Sequence, residues 1–212
     1  FQAYAADLIP APSSAEIGRP GLLEALRLFL EHRGLEIDWD TARDAPAEAL
    51  VNSLCMALPF EVAEKQALVE AMLAAGSPLA LTTSGALLSA LRYLGYTRIA
   101  TATPYTADLT VGLTAFLGES GIEVTAAAGL GLTSDIWTVP HDVTAQLVRE
   151  TDTDDAQAVF ISCTNLPTYD VIADLEHELG KPVLTANQVT MWHALSLIGR
   201  KAVGPGQQLM ER

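Results

Sequence analysis

From residue 78 onward the chain alternates between two kinds of apolar pattern, and this alternation limits the possible folds more than any other feature. Short runs rich in Ala, Val, Ile and Thr ("PLALTT", "TRIATAT", "IEVTAAA", "AVFISC", "PVLTA") are interleaved with longer segments of helical spacing. Those segments are "GALLSALRYLG", "PYTADLTVGLTAFLGESG", "PHDVTAQLVRE", "TYDVIADLEHELG" and "NQVTMWHALSLIG". Strands this short and this apolar need cover on both faces. Strand–helix repeats supply it, so the pattern predicts a parallel sheet between two helix layers. Pro104 is expected near the first turn of the second of these helices, and "GLGLTSDIW" is expected to be a loop over the sheet.

The first 60 residues are less regular. "LIPAPSSAEIGRP" has the Pro and Ser content of a loop. In "PGLLEALRLFLEHRG", Leu22, Leu23, Leu26, Phe29 and Leu30 recur at helical spacing between Pro20 and Gly34, which predicts a helix. "LEIDW" suggests a strand, and "EVAEKQALVEAMLAAG" a second helix closed by Gly76.

The segment "LALTTSG…LRYLGYTRIATATPY" has a faint echo in "VFISCTN…HELGKPVLTANQV". In this register Thr82, Thr83 and Ser84 stand opposite Cys163, Thr164 and Asn165. The repeat suggests two related α/β halves, with both strand tips lining one cleft at the carboxyl ends of the strands.

Composition narrows the function. A chain of 212 residues, half of them hydrophobic and 18% charged, can bury a substantial core. A net charge of −14 repels phosphate backbones, which argues against a nucleic-acid partner. Any anionic substrate must therefore be met by local donors. Two cysteines make no disulfide framework and suit a reducing cytoplasm. No apolar run approaches a membrane span, and no signal peptide is read at the start.

Cys163 is the residue on which function turns. A cysteine at a strand end can simply be core packing. Its neighbours suggest otherwise: Thr164 and Asn165 follow directly, and Pro167 is expected to open a helix whose backbone N–H groups would stabilise a thiolate and hold a carboxylate. Cys55, in the apolar run "SLCMALPF", is expected to be a packing residue. His32 and His177 fall on charged helices and are expected in solvent, His141 at a helix start, and His193 in a structural role. No His/Cys/Asp/Glu spacing matches a metal site, and none is expected. "GLGLT" lacks the spacing of a dinucleotide fingerprint. Asp135, Ile136 and Trp137 beyond it fit either a substrate-contacting loop or an ordinary turn. "TDTDD" is expected to be a solvated turn.

"SCTNLPTYDVIADLEHELGKPVLTANQVTMWHAL" resembles the C-terminal signature of the aspartate/glutamate racemase superfamily, in the branch of maleate cis–trans isomerases and arylmalonate decarboxylases. The resemblance extends more loosely back to residue 78 through "TTSG", "ATPYTADL" and "GLGLT". It implies two pseudo-symmetric Rossmann-like halves: residues 1–80 with about 187–212 in one, mainly 81–186 in the other. It also implies carbanion chemistry without a cofactor, a small mono- or dicarboxylate substrate, and room for a homodimer.

Racemases of the superfamily use two cysteines. Cys163 matches the C-terminal one, but the N-terminal one is replaced by Thr82, whose hydroxyl is too weak an acid to substitute for a thiol. The arylmalonate decarboxylases likewise keep only the second cysteine. By that resemblance Thr83, Ser84, Tyr105, Cys163 and Thr164 would form a carboxylate pocket, with Thr82 and Asn165 beside it and Cys163 as proton donor. Maleate isomerisation, amino-acid racemisation and binding of a small dicarboxylate without turnover are the alternatives.

Overall fold

The computed structural model describes residues 80–211, together with Leu23, Glu24, Leu26–Leu28, Leu30, Glu31, Trp39, Arg43 and Val69. The chain divides into two compact units, Phe1–Glu61 and Val62–Arg212. In the first, Leu26 and Leu30 are buried one helical turn apart, as the spacing predicts. On the exposed side Arg27 pairs with Glu24 at 2.7 Å and Glu31 at 2.5 Å. These are the i,i+3 and i,i+4 pairs that neighbour each other on a helix. Trp39 is helical, against the strand expected for "LEIDW", whose other residues lie outside the described set. "LIPAPSS", His32 and Cys55 also lie outside it, and Val69 is the described residue of the expected second helix.

In the second unit the elements follow in the order α1 (Thr83–Leu94), β1 (Arg98–Thr103), α2 (Ala107–Glu119), β2 (Glu123–Gly129), a 3-10 turn (Ile136–Thr138), α3 (His141–Thr151), β3 (Ala158–Ile161), α4 (Tyr169–Leu179), β4 (Val183–Thr185), α5 (Ala186–Leu197) and the short α6 (Gln208–Glu211). The four strands form one sheet in the order β2-β1-β3-β4, and every pairing is parallel. This is the α/β class the alternation predicts.

Alternation along each strand assigns the two cores. Ile99, Ala158, Phe160 and Leu184 pack on one face with Ala86, Leu87, Ala90 and Leu91 of α1, Leu117 of α2 and Val189 of α5. Ala100, Ala102, Val159, Ile161 and Val183 pack on the other with Leu147 and Val148 of α3 and Val171 and Leu175 of α4. The chain runs from β1 outward to β2 by a helix on the first face. It then returns past β1 to β3 by a helix on the second. A reversal of direction with a change of face is what crossovers of constant hand require. It leaves a topological switch point between β1 and β3, where the two connections diverge and open a crevice at the carboxyl ends of the strands.

Local chemistry sets the helix ends. Gly95 and Gly180 close α1 and α4 at φ 72° and 66°, the left-handed conformation that a residue without Cβ adopts cheaply. Thr185 caps α5 in a reciprocal box with Gln188, so "TANQ" is a start signal.

Three expectations are corrected. The strand expected over residues 78–83 is not formed in its described part: Ala80–Thr82 are unpaired and Thr83 is already helical. Thr82 is extended, but its Oγ1 accepts the Gly85 N–H at 3.0 Å, so local capping starts the helix here. The echo between the two segments therefore does not extend to a second paired strand among the described residues. The second expected helix begins at Ala107, leaving Pro104 in a bend two residues before its N-cap, Thr106. Lastly, "TDTDD" is a paired turn: Asp152 holds Lys181 at 3.0 Å, Asp155 bonds Arg98, and the Thr125 and Thr153 hydroxyls meet at 2.7 Å. A cationic residue from each flanking strand connection lies within reach of it, which the local sequence does not reveal.

Candidate active site

Two adjacent strand ends meet at the switch point. β1 and β3 are in register through Ala102 and Ile161. The Ser162 N–H extends the ladder by donating to the Ala102 carbonyl at 2.9 Å. Two residues past its last strand residue, each segment carries a candidate: Tyr105 after Thr103 of β1 and Cys163 after Ile161 of β3.

The backbone of Cys163 has φ 93°. A residue with a Cβ is strained there, at a cost of about 1–3 kcal/mol, and stays there only where its surroundings fix it. On the N-terminal side the fixing is the Ser162 ladder bond. On the C-terminal side the turn is short and polar: the Asn165 N–H donates to Cys163 Sγ at 3.4 Å, and Asn187 Nδ2 donates to the Thr164 carbonyl at 2.9 Å. The helix expected to open at Pro167 begins at Tyr169, with Thr168 at its N-cap. The N–H at the thiol thus comes from the turn. Pro167 cannot donate, and the residues between turn and helix carry the chain past the sulfur.

Tyr105 is fixed as tightly. Its N–H donates to Thr103 Oγ1 at 3.3 Å, and its carbonyl accepts from Gly131 N–H at 3.0 Å. The neighbouring Thr103 and Pro104 carbonyls accept from Leu130 at 3.1 Å and Leu132 at 2.9 Å. "GLGLT" is therefore a clamp along the Tyr105 turn. Gly129 is required by space: a Cβ there would stand 2.6 Å from the Tyr105 carbonyl oxygen. Burial pushes the Tyr105 phenol up in pKa, and the charge of the Cys163 thiolate and a hydrogen bond to it push the same way, while a hydrogen bond with Ser162 opposes them. Cys163 is thus near enough to act on the phenol, which keeps its proton.

The other expected residues are distributed as follows. The Thr83 and Thr190 hydroxyls meet at 3.1 Å, and Ser84 follows Thr83 in the first turn of α1. Thr190 lies one helical turn beyond Asn187 on α5, so a single turn of that helix touches both the "TTSG" tip and the segment after Cys163. Thr164 and Asn165 are exposed. Leu130, Leu132, Ile136 and Cys163 each pack against the second core, whereas Trp137 and Asp135 are exposed. An open cavity of about 480 Å³ adjoins the segment after Cys163, though neither Cys163 nor Tyr105 lines it. His141 begins α3, His177 is exposed, and His193 stacks on Trp192. Among the described residues no three His, Cys, Asp or Glu side chains are grouped to hold a metal ion. None of their helices is long and apolar enough to cross a membrane.

Sequence reasoning missed Ser162, Gly129, Asn187 and Thr190. The capping box in "TANQ" marks the start of α5 and places Asn187 in its first turn. Nothing local marks Gly129 as a contact of Tyr105, 24 residues away in the chain.

The arrangement presents a thiol, a protonated phenol, hydroxyls and backbone N–H groups, all formally neutral donors, at the edge of a sheet where helix N-termini gather. Such a set can receive a carboxylate and stabilise charge developing on it. Known proteins are similar to this chain in sequence and fold. The arylmalonate decarboxylase of Bordetella bronchiseptica is 36% identical over 123 residues, 56% of this chain and 51% of that protein. The maleate isomerase of Geobacillus stearothermophilus is 30% identical over 133 residues, 61% and 53% of the two chains. The chain thus spans about half the length of these curated relatives. A crystal structure of arylmalonate decarboxylase superposes with a TM-score of 0.64 at 33% identity, over 71% of this chain and 68% of that one. Residues 57–210 match the arylmalonate decarboxylase family model. On that match, the chain belongs to the arylmalonate decarboxylase family.

Proposed function

We propose that this protein decarboxylates a malonate-like dicarboxylate without a cofactor, in a cytoplasmic setting, with Cys163 as the proton donor. The observation that supports the reading is the strained backbone of Cys163, at φ 93°, just past the end of β3 and near Tyr105; by the family resemblance, Thr82 takes the place of the second thiol.

Loss of CO2 breaks one C–C bond and leaves its electron pair on the former α-carbon. The retained carboxylate accepts this pair as an enediolate. Thr83, Ser84, Tyr105 and backbone N–H groups, that at Thr164 among them, are the donors proposed to hold its two oxygens, with Thr82 and Asn165 beside them. Preorganised neutral donors of this kind are worth a factor of about 10²–10³ each. The departing carboxylate is proposed to lie against apolar side chains, with Leu130, Leu132 and Ile136 of the neighbouring loop as candidates. Cys163 then transfers its proton to the α-carbon, and the resulting thiolate takes a proton from solvent. One acid on one face yields one enantiomer.

The test is a panel of substituted malonates in D2O, following CO2 release, deuterium at the α-carbon and product chirality. CO2 release, one α-deuterium and a single enantiomer are expected, with a loss of at least about a hundredfold in Cys163→Ala. Absence of CO2 with every malonate would refute the decarboxylase reading. The maleate isomerase relative supports a second reading, in which Cys163 works with another recruited base on an unsaturated dicarboxylate. Conversion of maleate to fumarate without CO2 would establish it instead, and saturable dicarboxylate binding with no product would leave a binding protein.

A further inference from the structure

We propose that Asn187 is a positioning residue that aims the peptide between Thr164 and Asn165 at the sulfur of Cys163. The inference rests on the assignment of Cys163 as the reacting thiol. It follows from two hydrogen bonds that share one peptide plane. Asn187 Nδ2 donates to the Thr164 carbonyl at 2.9 Å, and the Asn165 N–H donates to Cys163 Sγ at 3.4 Å. The Thr164 carbonyl and the Asn165 N–H belong to the same planar trans unit, so they point in opposite directions. Holding the oxygen on Asn187 directs the hydrogen at the thiol.

No other hydrogen bond between described residues holds that carbonyl. The plane lies one residue beyond Cys163, whose φ is 93°, so the chain nearby gains by relaxing if its constraints are released. A rotation of the plane would turn the carbonyl oxygen toward the sulfur and replace a donor with a dipole that repels a thiolate. Asn187 is suited to the task because its own position is fixed. It is the second residue of α5, whose start is locked by the Thr185–Gln188 capping box, and α5 packs through Val189 into the first core. The amide is thus anchored to the sheet, independently of the turn it holds.

The experiment compares wild type with Asn187→Leu, which keeps the side chain's approximate volume without a donor, and Asn187→Asp, which keeps its shape and replaces the donor with an acceptor. Asn187 is exposed, and a carboxylate in the first turn of a helix is favoured by the helix dipole, so both variants are expected to fold with melting temperatures within a few degrees of wild type. The first readout is the rate of Cys163 carbamidomethylation by iodoacetamide at fixed pH, followed on the Cys163 peptide by mass spectrometry so that Cys55 does not contribute. A fall of about threefold or more is expected in both variants. The second is turnover of a substituted malonate, with kcat falling about tenfold or more while KM changes little, as expected when a reacting group is misplaced and binding groups are not. The alkylation readout needs no substrate and so separates the two ideas. If wild type turns over no malonate yet alkylation slows in the folded variants, the decarboxylase reading fails and the role of Asn187 stands. Folded variants that alkylate at the wild-type rate would overturn the role of Asn187, whatever the turnover.

Discussion

Gly129→Ala introduces one methyl group at the last residue of β2, where the added Cβ would meet the Tyr105 carbonyl oxygen at 2.6 Å and the Thr103 and Thr110 hydroxyl oxygens at 3.0 Å each. None of the three can easily withdraw. The Tyr105 carbonyl accepts the Gly131 N–H, and the two hydroxyls are bonded to each other at 2.8 Å inside the protein. The Tyr105 turn must shift by several tenths of an ångström and lengthen its bonds to the Gly131 and Leu132 N–H groups. Overpacking of this kind costs about 1–3 kcal/mol, and at this chain length each kcal/mol lowers the melting temperature by about 2–4 °C. A fall of about 5 °C is therefore expected. Because Tyr105 lies near Cys163, turnover is expected to fall by about tenfold or more as well.

Gly112→Ala is the internal comparison. It lies inside α2, and an added Cβ there meets nothing within 4 Å. The same chemical change should stabilise the protein by about 0.5–1 kcal/mol through helix propensity and leave turnover alone. Urea unfolding by circular dichroism, with malonate turnover on the same samples, measures both. If Gly129→Ala unfolds at the wild-type midpoint and retains turnover, the close approach of β2 to the Tyr105 turn does not constrain the site.

Other perturbations probe different contacts. Glu176 is buried and its carboxylate accepts the Val183 N–H at 2.9 Å and the Gln208 N–H at 2.7 Å; Glu176→Gln offers one acceptor oxygen where there were two, so a loss of about 2–3 kcal/mol in urea unfolding is expected. Cys163→Gly should raise the melting temperature, since glycine adopts φ 93° at little cost, while abolishing proton transfer; a variant no more stable than Cys163→Ala would show that the strain is not stored there. The raised pKa of Tyr105 means that the folded protein holds this proton more tightly than the unfolded chain, whose phenol titrates near 10.0. Its contribution to stability is then complete below that pH and is lost as the pH rises toward the folded value. Tyr105→Phe should flatten this alkaline decline and lower kcat by roughly a hundredfold, as for a lost donor to a developing oxyanion; an unchanged pH–stability profile would place the phenol in solvent.

Much of the framework was legible in local pattern. Apolar runs and helical segments of different length predicted β1 to β4 and the helices that cover them, because burial on both faces leaves its mark on consecutive residues. The tip "SCTN" was legible as the end of β3, because a thiol followed by polar residues departs from the apolar strand before it. The strand misplaced over residues 78–83 shows the limit of that reasoning. Thr82 and Thr83 favour extended backbone as individual residues, but a hydroxyl three residues before the N–H of Gly85 favours a cap, and the two signals compete within the same few residues.

What the sequence by itself determined is the alternation of elements and the glycine ends of α1 and α4, which depend on residues within a turn or two of each other. Only the tertiary structure decided the strand order that opens the crevice between β1 and β3, the φ of Cys163, and the nearness of Tyr105 to it. It also decided the anchoring of both tips by α5, through bonds that link residues 23 and 107 positions apart. The physical reason is that periodicity records which side of an element is apolar. The direction of a peptide plane or a hydroxyl is set instead by whichever distant donor the completed packing brings within about 3 Å of it.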